Sequence, residues 1–76
     1  MQRDKLLRKL GLKLRDVRVK KGLSQIQVAI LFGKERQTIQ RIEAGNTNPS
    51  IVYLYELSKV LGVSLKELFA DLSEDN

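Results

Sequence analysis

Residues 22–45 read GLSQIQVAILFGKERQTIQRIEAG. Ser24 stands ahead of an apolar stretch and suits a helix N-cap, because its hydroxyl can accept a bond from a first-turn N–H. Val28, Ala29 and Phe32 recur at helical spacing, and Gly33 stops the run. A second helix is expected over residues 35–44, ended by Gly45. At 3.6 residues per turn, Ile39 and Ile42 share one side of it, and Arg36, Gln37, Gln40 and Arg41 share the other. That outer side holds no acid and no Lys. Arg can bond guanine O6 and N7 together, and Gln can do the same with adenine N6 and N7. A small residue, Ala29, followed four residues later by Gly33 lets the two helices cross closely through a short turn.

The rest of the chain reads the same way. Leu7, Leu10, Leu14 and Val17 make an apolar stripe in a first helix over about residues 4–21, ended by Gly22. Asn48-Pro49-Ser50 opens a fourth helix, with Pro49 expected in its first turn and Ile51, Leu54, Leu57 and Leu61 facing inward. Gly62 ends it. Ser64 caps a short fifth helix holding Leu65, Leu68 and Phe69, and Leu72 follows. No segment alternates as a strand would. The expected fold is all-α, a compact five-helix domain, and 76 residues make one domain over 1–76.

Composition narrows the function. The chain has no Cys and no His, so thiol nucleophiles, imidazole bases, disulfides and the usual zinc ligands are excluded. The carboxylates are scattered, and no enzyme, metal, cofactor or small-molecule substrate is expected. No apolar run approaches the roughly 18 residues of a membrane span, and charges break the first 15 residues, so neither an anchor nor a signal peptide is read there and a cytoplasmic protein is expected. Net charge is +5, unevenly placed: residues 1–49 hold 12 Lys/Arg and 4 Asp/Glu (+8), and residues 50–76 hold 2 and 5 (−3). Such asymmetry points to nucleic acid.

The ordered set Gly11, Leu14-Arg15, Arg18, Gly22-Leu23-Ser24-Gln25, Val28-Ala29, Gly33, Ile39, Arg41-Ile42-Glu43, Gly45, Asn48-Pro49-Ser50, Leu54, Leu57, Leu61-Gly62-Val63-Ser64 and Leu68-Phe69 resembles the Xre, or lambda-repressor and Cro, family of helix-turn-helix domains. The resemblance covers about residues 10–70, with the helix-turn-helix at 25–44. It implies a lambda-repressor-like fold and sequence-specific binding of double-stranded DNA. Carried over by position, Arg36, Gln37 and Arg41 read bases with Gln40 beside them, Ser24 and Gln25 hold phosphates, and Arg18 pairs with Glu43. Asn46, Thr47 and Asn48 add neutral phosphate contacts, and Lys20 and Lys21 add phosphate attraction. Lys34 and Glu35 depart from the pattern: the first replaces an apolar residue, the second the usual Ser or Thr cap.

The leading reading is a stand-alone transcription regulator, similar to a restriction–modification controller, that binds a palindromic operator as a homodimer. Val60, Val63, Leu65, Phe69 and Leu72 are expected to remain uncovered on a monomer and to form the dimer interface. The alternative is a protein-interaction module such as an antitoxin. A basic helix lying on a membrane is disfavoured, since the first helix lacks Trp and Phe.

Overall fold

The computed structural model of the protein describes residues 3–70 and Leu72. Among these residues the chain forms five helices: α1 (Arg3–Lys20), α2 (Gln25–Phe32), α3 (Arg36–Glu43), α4 (Ile51–Leu61) and α5 (Leu65–Phe69). Serine starts three of them. Ser24, Ser50 and Ser64 accept bonds from the backbone N–H groups of Gln27, Tyr53 and Glu67, and at α2 and α5 the third helical residue bonds back to the cap. Glu35 occupies the same place at α3 in extended conformation, but its side chain makes no capping bond.

The core is Leu10 and Leu14 of α1, Val28 and Ala29 of α2, Ile39 and Ile42 of α3, Leu54, Leu57 and Leu61 of α4, and Leu68 of α5. α1 packs on α3, α3 on α2, α2 on α4, and α5 closes against α1 and α4. Phe32 meets Tyr53 edge to face at 4.9 Å between ring centroids, which fixes the end of α2 against the start of α4. The Tyr53 hydroxyl is buried there with no hydrogen-bond partner among the described residues, and burial pushes the phenol's pKa up.

Three expectations need correction. Pro49 lies ahead of α4 rather than in its first turn, because Ser50, which can accept the Tyr53 N–H, takes the capping place. Ile51 is 57% exposed. Its place in the core stripe is held one heptad later by Ser58, which is buried and satisfies its hydroxyl by donating to the Tyr55 carbonyl at 2.6 Å. The idea that a monomer leaves the carboxy-terminal apolar residues bare also changes: Val60, Val63, Leu65 and Leu72 pack half-buried against the protomer's own core, and Phe69 stays exposed.

Among the glycines, the tightest surroundings are at Gly11. A Cβ there would stand 2.5 Å from the Ile42 carbonyl oxygen and 2.4 Å from that of Glu43. α1 therefore lies backbone to backbone on the last turn of α3, and this contact fixes the tilt of that helix. Backbone atoms cannot swing aside as a side-chain tip can. Gly11→Ala is expected to destabilise the domain by about 3 kcal/mol, the upper range for overpacking; a melting curve of the variant beside that of wild type checks it.

Candidate nucleic-acid interface

Arg18 lies on the same side of α1 as Gly11 and Leu14, which turns a guanidinium into the protein. Its Nε donates to Glu43 Oε2 at 2.6 Å and its Nη2 to Glu43 Oε1 at 2.9 Å, a two-pronged pairing of planar groups. The third arm, Nη1, donates to the Leu23 carbonyl at 2.8 Å. The two side chains are only 10% and 7% exposed. Hydrogen bonding to Glu43 raises the Arg18 pKa above its ordinary value and outweighs burial, which acts the other way. The Gln25 amide adds a fourth bond, Nε2 donating to Glu43 Oε1 at 3.0 Å. One carboxylate on α3 thus gathers α1 and the first residue of α2, and Arg18 ties in the turn before α2.

This network holds two features that flank α3, the start of α2 and the turn after α3. At the start of α2, Ser24 Oγ accepts the Gln27 N–H, while the N–H groups of the first two helical residues have no partner within the helix. A helix start of this kind favours a phosphate oxygen. At the end of α3, Gly45 has φ +76° and donates to the Ile42 carbonyl, and the Asn46 N–H donates to the Arg41 carbonyl at 2.9 Å. These paired bonds form a Schellman turn, and they deliver Asn46, Thr47 and Asn48 to the surface directly after α3.

Between the two lies the outer face of α3. Arg36, Gln37, Gln40 and Arg41 are all exposed, while Ile39 and Ile42 are buried. No hydrogen bond or ion pair within the protein occupies those four polar heads among the described residues. They stand as a row of forked donors and acceptors on a helix held from behind. Glu35 and Lys34 flank it. The Lys34 ammonium lies over the Phe32 ring at 5.6 Å, which accounts for a Lys where an apolar residue is common. Glu35, unbound to its own helix, sits exposed at the entrance to α3.

Lys20 and Lys21 are held apart from this row. Lys20 pairs with Asp16 one turn back at 3.1 Å, and the Lys21 ammonium lies beside Gly62 at the turn between α4 and α5. The shallow surface they share also holds Val63 and Glu67. Neither the Gln25–Glu43 bond nor the Asp16–Lys20 pair was anticipated from the sequence; for the latter, an acid four residues before a Lys was the available signal.

The helix-turn-helix profile HTH_3 matches residues 14–68. The chain belongs to the HTH_3 helix-turn-helix family. It is a DNA-binding transcriptional regulator. It is 39% identical over 69 residues to the uncharacterized HTH-type transcriptional regulator y4dJ of Sinorhizobium fredii, covering 90% of each chain. It is 37% identical to the control protein C.MunI of a Mycoplasma species, over 88% of this chain and 92% of that one. Among solved structures, the restriction-modification controller protein C.AhdI of Aeromonas hydrophila superposes with a TM-score of 0.80 at 40% identity, covering 83% of this chain and 96% of its own. The HTH-type transcriptional regulator PuuR of Escherichia coli is longer, and this HTH_3 chain spans 33% of it. These relatives are transcriptional regulators, a non-enzymatic group, and among the described residues no helix is long and apolar enough to cross a membrane.

Glu43→Ala removes the partner of a charge that is nine-tenths buried. It is expected to cost about 3–5 kcal/mol in unfolding free energy. Replacing the pair together, Arg18→Met with Glu43→Leu, is expected to recover much of that loss, since two apolar groups need no partner. Denaturant melts of the three proteins measure it, and a Glu43→Ala protein as stable as wild type would dissolve the network as a structural element.

Proposed function

We propose that α3 enters the major groove of double-stranded DNA and that Arg36, Gln37, Gln40 and Arg41 read base edges there. One observation carries this reading: four forked polar side chains share one exposed face of α3, with no partner among the described residues, while the opposite face is anchored by Ile39, Ile42 and the Arg18–Glu43 pair. Guanine and adenine present paired sites in the major groove that suit Arg and Gln. Ser24, Gln25, Asn46, Thr47 and Asn48 are assigned to phosphates on either side, which fix register without reading sequence. Lys20 and Lys21 contribute long-range attraction only, since each already sits near another part of the protein.

Two copies acting together complete the proposal. A homodimer built around α5 would have Phe69 as its exposed anchor and Val60, Val63, Leu65 and Leu72 as its margin. A two-fold contact of this kind sets two recognition helices about 34 Å apart, one turn of duplex, so the operator is a palindrome. That C.AhdI is a restriction-modification controller protein and C.MunI a control protein supports a role as a small cytoplasmic controller of gene expression.

In-vitro selection from random duplexes identifies the preferred site. On it, Arg36→Ala, Gln37→Ala and Arg41→Ala are each expected to cost about 1–3 kcal/mol and to relax preference at a few base positions. Wild-type binding by all three variants would remove α3 from the groove. For assembly, sedimentation at tens of micromolar is expected to show a dimer that Phe69→Lys converts to monomer; a wild-type monomer that protects a single half-site would overturn the two-fold arrangement.

A further inference from the structure

We propose that the first two turns of α1 form a phosphate clamp with the loop after α3: Arg3 and Arg8, facing Asn46, Thr47 and Asn48 across an open cleft, grip the DNA backbone next to the bases that α3 reads. The clamp rests on the DNA-binding reading above. It extends the interface to residues that lie outside the family match at 14–68.

The cleft has a volume of about 390 Å³. Arg3, Asp4, Leu7 and Arg8 line one side, and residues 44–48 line the other. Its geometry follows from Gly45. A Cβ at that position would stand 2.8 Å from Arg8 Cγ and 2.9 Å from Arg8 Cα. The missing side chain lets the Arg8 stem lie directly on the turn that follows α3, so the guanidinium is delivered to the same edge as the three polar loop residues. The left-handed backbone of Gly45 and the Asn46-to-Arg41 bond hold the loop in place. Arg8 and the end of α3 are therefore registered to each other through backbone contact.

The chemistry of the lining selects an anion with several oxygens. Two guanidinium forks suit the paired non-bridging oxygens of a phosphodiester, and the amides and hydroxyl of residues 46–48 are neutral donors that complete its shell. Asp4 is the one acid in the lining, so two Arg against one Asp leave a single positive surplus. Neither Arg forms an ion pair among the described residues. Free inorganic phosphate has the same chemistry. Continuity with α3 through Ala44 and Gly45 favours the duplex backbone, because any strand that α3 straddles must pass the loop that leaves it.

The test compares duplex affinity against salt concentration for wild type, Arg3→Gln with Arg8→Met, Arg8→Lys, Asp4→Asn and Arg36→Ala. Met keeps the aliphatic stem over Gly45, so the fold is retained. The double variant is expected to bind the selected site and an unrelated duplex about tenfold more weakly each, with the log–log salt slope shallower by about 2, the loss of two phosphate contacts. Its preference for the selected site stays that of wild type. Arg8→Lys keeps the charge and the slope, and Asp4→Asn tightens all duplexes a few-fold. A double variant with wild-type affinity and slope, alongside an Arg36→Ala that still loses base preference, overturns the clamp and leaves the α3 reading intact. Saturable binding of inorganic phosphate at fixed ionic strength that Arg8→Met abolishes, with an unchanged DNA slope, assigns the cleft to a free anion and also overturns it. A wild-type protein that binds no duplex overturns both.

Discussion

The Arg18–Glu43 pair is the constraint on which the arrangement of the domain depends. Apolar packing alone would bring α1, α2 and α3 together, but Leu, Val and Ile contacts are tolerant of small rotations. A planar fork against a planar carboxylate is not, and here one carboxylate accepts from both Arg18 and Gln25 while Arg18 also donates to the Leu23 carbonyl. Burying two charges is costly in itself, and an apolar pair of equal volume would serve stability as well or better. What the ion pair supplies is registration. It ties the start of α2, where an anion is favoured, to the helix whose outer face is proposed to read bases. The Gly11 contact on the Ile42 and Glu43 carbonyls fixes the same end of α3 from a second direction.

Much of this was legible in the sequence, and for identifiable reasons. Gly22, Gly33, Gly45 and Gly62 each follow a helix with positive φ, so the helix ends could be read within a residue or two. The caps at Ser24 and Ser64 were legible because a hydroxyl one place before an apolar run has few other uses, whereas the Ser50 cap was not read. Core positions in the interior of α1, α2 and α3 followed from periodicity. Ile51 did not, because periodicity ranks residues by apolarity and cannot see that Ser58 finds a carbonyl for its hydroxyl inside the stripe. Pro49 was misplaced because its preference for a first turn competes with the capping preference of its neighbour.

Within the candidate interface, the outer row of α3 came from the helical wheel, but Arg18–Glu43 came from resemblance. Spacing could not have paired residues 25 apart in the chain. The Gln25 bond and the Arg8–Gly45 contact were invisible for the same reason: both depend on where α1 crosses α3, which no local pattern encodes. The carboxy-terminal apolar residues show the opposite failure. Their number suggested a bare surface, yet α5 folds back on α1 and α4 and covers most of it, leaving Phe69 in the open.

One asymmetry in α3 bears on how a bound complex would form. Its last turn is held by the ion pair, by the backbone of α1 and by the turn through Gly45, while its first turn begins at Glu35 with no capping bond. The helix is tied more firmly at its last turn than at its first, where buried Ile39 is the anchor and no capping bond is made. Amide exchange should therefore quicken toward Arg36 and Gln37, whereas Gln40 and Arg41 sit over the rigid part. A free end must lose conformational entropy when it settles against a ligand, about 1 kcal/mol or more for each residue ordered. The two ends of the helix then discriminate differently. If α3 reads bases as proposed, contacts from Gln40 and Arg41 meet a mismatch with a surface that yields little, and contacts from Arg36 and Gln37 can adjust to it. Tolerance of sequence variation would then be graded along the bound site, strict beneath the last turn of α3 and permissive beneath the first.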